Sequence, residues 1–171
     1  RDYYASRGLG DVYKRQVFVG YDKSGVARHA HKHGTFTGGK AFKGNEESSD
    51  PKYSFHWTGK SGRLYVFEAP IDLLSFLTLY QKEWEQHSYV ALCGLSEQGL
   101  FQMLEDVPYI RQVALCLDRD RAGLQAEERI QKNLEGRGYR EVFPLFPSGK
   151  DWNEDLQELM AKGRRENLQM Q

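Results

Sequence analysis

The sequence has little cysteine and no long apolar segment. Two of its 171 residues are cysteines, Cys93 and Cys116, and each stands within an apolar, strand-like run. This pattern indicates buried, reduced thiols in the cytoplasm rather than the disulfide framework of a secreted protein. No apolar run approaches the ~18 residues that a membrane-crossing helix needs. We therefore expect a soluble, cytoplasmic protein with no membrane partner.

The sequence also lacks a phosphate-binding loop of the GxxxxGK[ST] form, which argues against an NTPase. Its net charge is zero, but the charge is unevenly distributed: residues 17–63 carry a net +4 and residues 64–171 a net −6. A basic segment beside an acidic one suits a phosphate-binding surface next to a metal site. Ordinary solvated surface produces the same pattern, so charge alone leaves both interpretations open.

The aromatic content of 13% and the hydrophobic content of 39% are enough for a packed core. Residues 1–16 show no periodicity and resemble translated sequencing adapter, so we leave them out of the fold prediction. Residues 17–62 contain short strand patterns, including 41–42 and 53–57, between glycine-rich turns, and predict a small β-rich module. Residues 63–163 form the main domain and 164–171 a tail. A strand pattern that is already under way at residue 17, in a chain without an initiator Met, predicts a fragment of a longer protein.

The main domain alternates apolar strands with amphipathic helices. The strands are predicted at 63–69, 88–94, 112–118 and 141–147, and Pro144 places the last at a sheet edge. The first helix begins at Pro70 and keeps its apolar spacing as far as Trp84, and the last ends near Gly163. This rhythm is typical of βαβ units. The predicted fold is α/β: a four-stranded parallel sheet flanked by helices, with the small β-rich unit at its N-terminal side.

Acidic residues follow two of these strands. Asp118 ends the third strand, Asp120 follows on the same side, and Glu68 ends the first strand. Asp72 falls in the first turn of the next helix. Ligands of open parallel sheets bind at the carboxyl ends of the strands, and Mg²⁺ relieves the repulsion among clustered carboxylates. The alternative is that Asp118 and Asp120 are simple helix N-terminal acids, favoured by the helix dipole.

The stretches "VFEAPIDLLS", "ALCG" and "LCLDRDRAG" together resemble the Toprim domain of bacterial primases, topoisomerases and related nucleases. The matching residues are Glu68, Asp72, Gly94, Asp118, Asp120, Ala122 and Gly123. "GKDWNEDL" at 149–156 resembles the Lys-Asp-x-Asn-Asp stretch near the end of primase-like Toprim domains. The resemblance covers about residues 63–160. Residues 17–62 resemble an uncharacterised module that accompanies a Toprim-like partner in proteins of bacterial mobile elements.

The resemblance implies a division of roles. Asp118 and Asp120 would hold Mg²⁺ (or Mn²⁺), Glu68 would transfer a proton or share the metal, and Asp72 would support them. Weaker candidates are Lys150 for the phosphate and Asp151 for the metal edge. The basic segment 17–63 adds Lys40, Lys43 and Arg28 as candidate contacts of the nucleic-acid phosphates. The implied partners are nucleic acid, DNA rather than RNA, and helicase or relaxase domains of a full-length protein. One departure is Ala69, where the primase pattern has Gly.

Three functions remain open on these grounds. The leading one is a primase-like nucleotidyl or phosphoryl transferase from a mobile-element replication or transfer protein, with a Toprim nuclease possible on the same ligands. The second is a non-catalytic module that binds nucleic acid or a replication partner. The third, a phosphoaspartate receiver, fits poorly because the acidic pair follows the third strand. A shared metal site requires the first and third strands to lie side by side.

Overall fold

The N-terminal part of the protein forms a small antiparallel sheet. The computed structural model describes residues 15–34, 42–94 and 96–169. The small sheet contains β1 (Arg15–Tyr21), β2 (Ala27–Gly34) and β3 (Lys43–Asn45), paired in that order. The turn between β1 and β2 is closed by the Asp22 carboxylate, which accepts hydrogen bonds from the backbone N–H groups of Ser24 and Val26.

The larger sheet has five strands. They are β4 (His56–Trp57), β5 (Arg63–Phe67), β6 (Ser88–Ala91), β7 (Gln112–Leu115) and β8 (Glu141–Pro144), in the spatial order β4-β6-β5-β7-β8. The strands β5 to β8 are parallel, as predicted, and β8 is an edge strand. The sheet also contains a fifth strand that the sequence did not predict for it, β4, which pairs antiparallel with β6. The pattern at 53–57 therefore contributes to the larger sheet rather than to the small one.

Helices cover both faces of the larger sheet: α1 (Pro70–Leu79), α2 (Gln98–Asp106), α3 (Arg121–Gly136) and α4 (Trp152–Gln169). Alternate residues of each strand point to opposite faces. On β5, Leu64 and Val66 join the core that includes residues of α2 and α3. Phe67 joins the other core, which includes residues of α1 and Trp152. This two-sided burial explains the near-continuous apolar strands of the sequence.

Several element boundaries differ from the predictions. The first helix ends at Leu79, and Trp84 lies instead in a short 3₁₀ turn after Glu83, which has a left-handed backbone (φ 55°). The Trp84 ring packs against Trp57, with 5.3 Å between ring centroids. The last helix continues past Gly163 to Gln169, and β1 begins at Arg15, within the segment 1–16. The strand expected at 41–42 occurs at 43–45, and residue 41 lies outside the described ranges.

The small sheet is anchored against the larger one close to the ends of β5 and β6. The Phe18 ring meets Phe55 edge-on at 5.5 Å. Gly20 permits this approach, because a Cβ there would lie 1.7 Å from the Tyr53 carbonyl oxygen. Asn45 Nδ2 donates to the Cys93 carbonyl, 3.3 Å away. In the part of the chain that the structure describes, no helix is both long and apolar enough to cross a membrane.

Candidate metal and phosphate site

The strand order brings the predicted acidic residues to one edge of the larger sheet. β5 and β7 are adjacent and parallel, with Val66 opposite Leu115. Glu68 and Asp118 follow these neighbouring strands, so the side-by-side arrangement expected from the sequence is present. We call this edge the rim, and refer to Glu68, Asp72, Asp118, Asp120 and Asp151 as the rim carboxylates.

Asp118 is the most strongly perturbed of these residues. Its Oδ1 atom is buried and has no hydrogen-bond partner among the described residues. Burial, followed by the charges of Glu68, Asp72 and Asp151, raises the pKa of Asp118 from 3.8 to about 7, although Lys150 opposes the shift. A buried carboxylate oxygen without a partner is costly. Such an atom has the chemistry of a metal ligand.

Asp72 and Glu68 experience the same electrostatic environment. Asp72 is only 4% exposed, and burial together with Asp151 raises its pKa to about 6, although its Oδ1 accepts the Asn153 N–H. The pKa of Glu68 is raised by burial and then by Asp120, against the attraction of Lys43 and Lys150. These acids therefore interact as a group.

Asp120 also has a structural role. Its Oδ1 accepts hydrogen bonds from the N–H groups of Ala122 and Gly123, both at 3.0 Å, and so caps the start of α3. Its Oδ2 lies 3.9 Å from Lys150 Nζ. Gly123 lets the helix start close to Asp118, because a Cβ at this position would lie 2.0 Å from the Asp118 carbonyl oxygen. The Asp-x-Asp-x-Ala-Gly spacing thus places Asp120, which caps the helix, beside Asp118, whose Oδ1 atom has no hydrogen-bond partner among the described residues.

The stretch at 149–156 docks beside this pair. The Asp155 carboxylate accepts the N–H groups of Ser148 and Gly149, and Glu154 accepts that of Lys150. The Lys150 carbonyl in turn accepts the Arg119 N–H at 2.7 Å. Trp152, which follows, is buried and donates from Nε1 to the Cys116 carbonyl at 3.0 Å. These contacts hold Lys150 and Asp151 at the rim.

Of the two predicted basic candidates of the small module that the structure describes, Lys43 and Arg28, the first reaches the rim. Lys43 lines a hollow of about 250 Å³ together with Glu68, Asn45 and His31. Arg28 is instead in an ion pair with Asp22, with 2.7 Å between Nε and Oδ2. Lys40 lies outside the described residues.

The histidines His29, His31 and His33 share one face of a predicted strand, a pattern that favours surface or phosphate-facing side chains over a zinc site, but the sequence does not predict that His31 and Asn45 line this hollow together. His31 is buried, and its Nδ1 lies 2.7 Å from Asn45 Oδ1. The two residues face each other across β2 and β3. The spacing of the histidines in "HAHKH" was the one available signal, and nothing in the sequence connected it with Asn45.

The donor set suits a hard divalent cation such as Mg²⁺ or Mn²⁺, which prefers carboxylate oxygens. The Oδ1 atom of Asp118 has no partner among the described residues, and burial and the charges of neighbouring acids raise the pKa values of Asp118 and Asp72; a bound cation would offset both costs. Within the described ranges, however, no three His, Cys, Asp or Glu side chains are already arranged around one point as metal ligands. Ligation would therefore require the rim carboxylates to turn toward a shared cation.

Comparisons with solved structures agree with this architecture. The primase fragment of the bacteriophage T7 primase-helicase protein superimposes with a TM-score of 0.61 at 20% identity, covering 86% of this chain and 62% of that one. The DnaG primase catalytic domain bound to ssDNA gives 0.59 at 18% identity, covering 92% and 51%. The E. coli primase catalytic core gives 0.59 at 18%, covering 85% and 48%. At such identities the likeness is one of fold.

Comparisons with other sequences locate two families. An uncharacterized protein of Bacillus anthracis is 28% identical over 91% of this chain and 53% of its own length. A Mycoplasma pneumoniae protein, an uncharacterized MG010 homolog, is 29% identical over 59% of this chain and 46% of its own length. The chain thus spans about half the length of these relatives. Residues 5–61 match a family of unknown function, DUF3991, and residues 65–156 match the Toprim-like family. With more than half of its length matched, the chain belongs to the Toprim-like family.

Proposed function

We propose that this chain is the metal-dependent catalytic part of a nucleic-acid enzyme, with primase-like nucleotidyl or phosphoryl transfer at the rim. The observation that carries the proposal is the group formed by Glu68, Asp72 and Asp118. Each is shifted toward its protonated form by burial and by neighbouring acids. Strongly perturbed acids grouped at a ligand-binding edge are typical of a functional site.

The rim carboxylates would hold Mg²⁺ or Mn²⁺ through Asp118 and Asp120, with Asp72 in support. The bound cation would neutralise charge on the phosphate oxygens. Glu68, whose raised pKa brings it closer to neutral pH, would accept or donate a proton at the attacking or leaving oxygen. Lys43 and Lys150, whose positive charges both lower the pKa of Glu68, would bind phosphates of the nucleic acid near the reacting one.

The proposal extends to the setting of the reaction. We infer DNA rather than RNA as the nucleic acid, and helicase or relaxase domains as neighbours in a longer mobile-element protein. The choice of DNA is supported by the similar DnaG primase catalytic domain, which is described as bound to ssDNA. Two observations support the neighbouring domains. The chain spans about half the length of its curated relatives, and the similar T7 protein is named a primase-helicase.

The test compares Glu68→Gln with Glu105→Gln, which alters an exposed acid on α2. We expect Mg²⁺- or Mn²⁺-dependent nucleotide incorporation or cleavage on single- or double-stranded DNA by the unaltered chain and the Glu105 variant. Glu68→Gln should abolish turnover and leave DNA affinity unchanged, because the amide keeps the shape but cannot exchange a proton. Lys43→Ala should do the reverse, weakening binding and leaving turnover at saturating DNA.

A second candidate function is a non-catalytic nucleic-acid or partner-binding module. One specific observation favours it: Asp120 is already engaged as the cap of α3. The same experiment separates the two candidates. DNA binding without any reaction that Glu68→Gln removes would establish the binding module, whereas cleavage without incorporation would establish a Toprim nuclease.

A further inference from the structure

We propose that the edge of the larger sheet opposite the rim is a second contact surface for the nucleic-acid backbone. The inference rests on the proposed nucleic-acid function but concerns different residues. Arg63 begins β5, Arg111 directly precedes β7 and Arg140 directly precedes β8, while Arg137 follows the last residue of α3. Because these three strands are parallel neighbours, their amino ends lie along one edge. We call these four residues the arginine edge.

Three of these guanidinium groups are held in place by neutral groups. Arg63 Nε donates to Gln112 Oε1 at 2.9 Å. Arg111 Nη1 donates to the backbone carbonyls of Pro108 and Ile110, at 2.5 and 2.9 Å. Arg137 stacks over the Phe101 ring at 3.9 Å. Each is therefore oriented without losing its charge, which reduces the entropy cost of binding an anion.

No ion pair forms at any of the four arginines within the described ranges. Other cations of the chain differ in this respect: Lys132 pairs with Glu128, and Lys162 lies 3.7 Å from Glu158. Glu141, the acid among the described residues that line this edge, accepts a hydrogen bond from Gln112 Nε2 instead. Three of the four arginines belong to the segment 64–171, whose net charge is −6. A polyanion is the ligand that such a surface attracts.

The residues that line the surface favour a phosphate backbone over a protein partner. Two adjoining hollows of about 400 and 420 Å³ share Arg111 and Glu141. Their remaining lining residues are polar, charged, glycine or Tyr139, and no aliphatic side chain contributes. Protein interfaces have an apolar centre, which is missing from this lining. Arginine forks, in contrast, match phosphate oxygens well.

The distance between the two edges sets a minimum length for a nucleic acid that contacts both. Strands of four or five residues, at ~3.3 Å per residue, separate the edges by about 15 Å. Phosphates follow one another by ~3.4 Å along one strand of a duplex. Helices cover both faces of the sheet, so a strand that contacts both edges must also pass around a helix about 10 Å in diameter. A tetranucleotide is too short for this path, whereas about twenty nucleotides are ample. Simultaneous contact should make binding of the longer strand tighter and steeper in its salt dependence.

The experiment measures the binding of fluorescein-labelled single-stranded DNA of about 4 and about 20 nucleotides by anisotropy, over a salt series with Mg²⁺. The test variant is Arg137→Gln with Arg140→Gln, and the matched control is Lys162→Gln on α4. We expect the test variant to bind the longer strand about tenfold more weakly. The slope of log affinity against log salt should become shallower by about 0.7 for each lost contact. Binding of the shorter strand, and all binding by the control, should not change.

The possible outcomes are distinct. If the test variant binds the longer strand with the affinity and salt slope of the wild type, and still binds the shorter strand, the arginine edge is overturned and the proposed function stands. Absence of DNA binding by the unaltered chain would overturn both. If the substitutions weaken the binding of polyglutamate and leave the binding of DNA unchanged, the surface belongs to an acidic protein partner and the proposal is overturned. If circular dichroism shows that the double variant is misfolded, Arg140→Glu alone provides the same test, because the exposed Arg140 side chain makes no hydrogen bond or ion pair with another described residue.

Discussion

Replacing Asp118 by Asn should stabilise the protein in the absence of divalent cations. The pKa of Asp118 rises from 3.8 to about 7 on folding. Since each tenfold change in the ionisation equilibrium corresponds to about 1.4 kcal/mol, ionisation of Asp118 in the native state costs about 4 kcal/mol more than in the unfolded chain. Water at the rim reduces this penalty, because Asp118 is only partly buried. We therefore expect Asp118→Asn to raise the free energy of unfolding at pH 8 by about 1 to 3 kcal/mol, or the melting temperature by about 3 to 9 °C.

The pH dependence of this gain follows from the direction of the shift. Between pH 3.8 and about 7 the native state holds a proton on Asp118 that the unfolded chain releases. The free energy of unfolding of the wild type therefore falls as the pH rises through this window. Below it the carboxyl is protonated in both states and no penalty exists. The advantage of Asp118→Asn should accordingly be absent near pH 3.5 and complete above pH 8.

The assay is thermal unfolding followed by circular dichroism, in EDTA, from pH 3.5 to 8.5. Glu85→Gln, which removes an exposed carboxylate, serves as the control and should leave the curve unchanged. The reasoning is refuted if Asp118→Asn is no more stable than the wild type at pH 8. It is also refuted if its advantage does not vary with pH, because a packing effect would then explain it.

Two further substitutions test the elements that build the rim. Mg²⁺ at about 100 times its dissociation constant should stabilise the unaltered chain by about 2.7 kcal/mol. Asp120→Asn should weaken this response without changing stability in EDTA, since Asn caps a helix as well as Asp does; an unchanged Mg²⁺ response would remove Asp120 from the ligands. Gly123→Ala should destabilise the fold by about 2 kcal/mol or more, because its Cβ would overlap the Asp118 carbonyl. Chemical denaturation measures this loss, with Gly136→Ala, where a Cβ has open space, as the control.

Local sequence was sufficient for the parts of the fold that depend on periodicity and on short motifs. The alternation of apolar strands with helices predicts the parallel strands β5 to β8, because only two-sided burial accommodates such continuous apolar runs. The position of Asp118 at the end of the apolar run that contains β7, followed by Gly123, predicts an acid beside a helix start. The placement of Glu68 near Asp118 also follows, since the carboxyl ends of parallel strands share an edge.

Long-range packing decided the rest. The pairing of β4 with β6 depends on contacts between residues more than thirty positions apart, so a short apolar stretch such as 53–57 does not reveal which sheet it joins. The first helix ends at Leu79 although its apolar spacing continues, because Trp84 packs against Trp57 from a 3₁₀ turn.

The electrostatics of the site likewise required the tertiary structure. A sequence places Lys43, Asp151 and Glu68 far apart, whereas the fold brings them close enough to shift the same pKa values. The arginine edge is assembled in the same way, from residues at the amino ends of three strands and at the end of α3. Local sequence thus determined which elements form and where each acid lies along its own strand. The tertiary structure determined which charges become neighbours, because electrostatic energy depends on distance in space and on burial rather than on order along the chain.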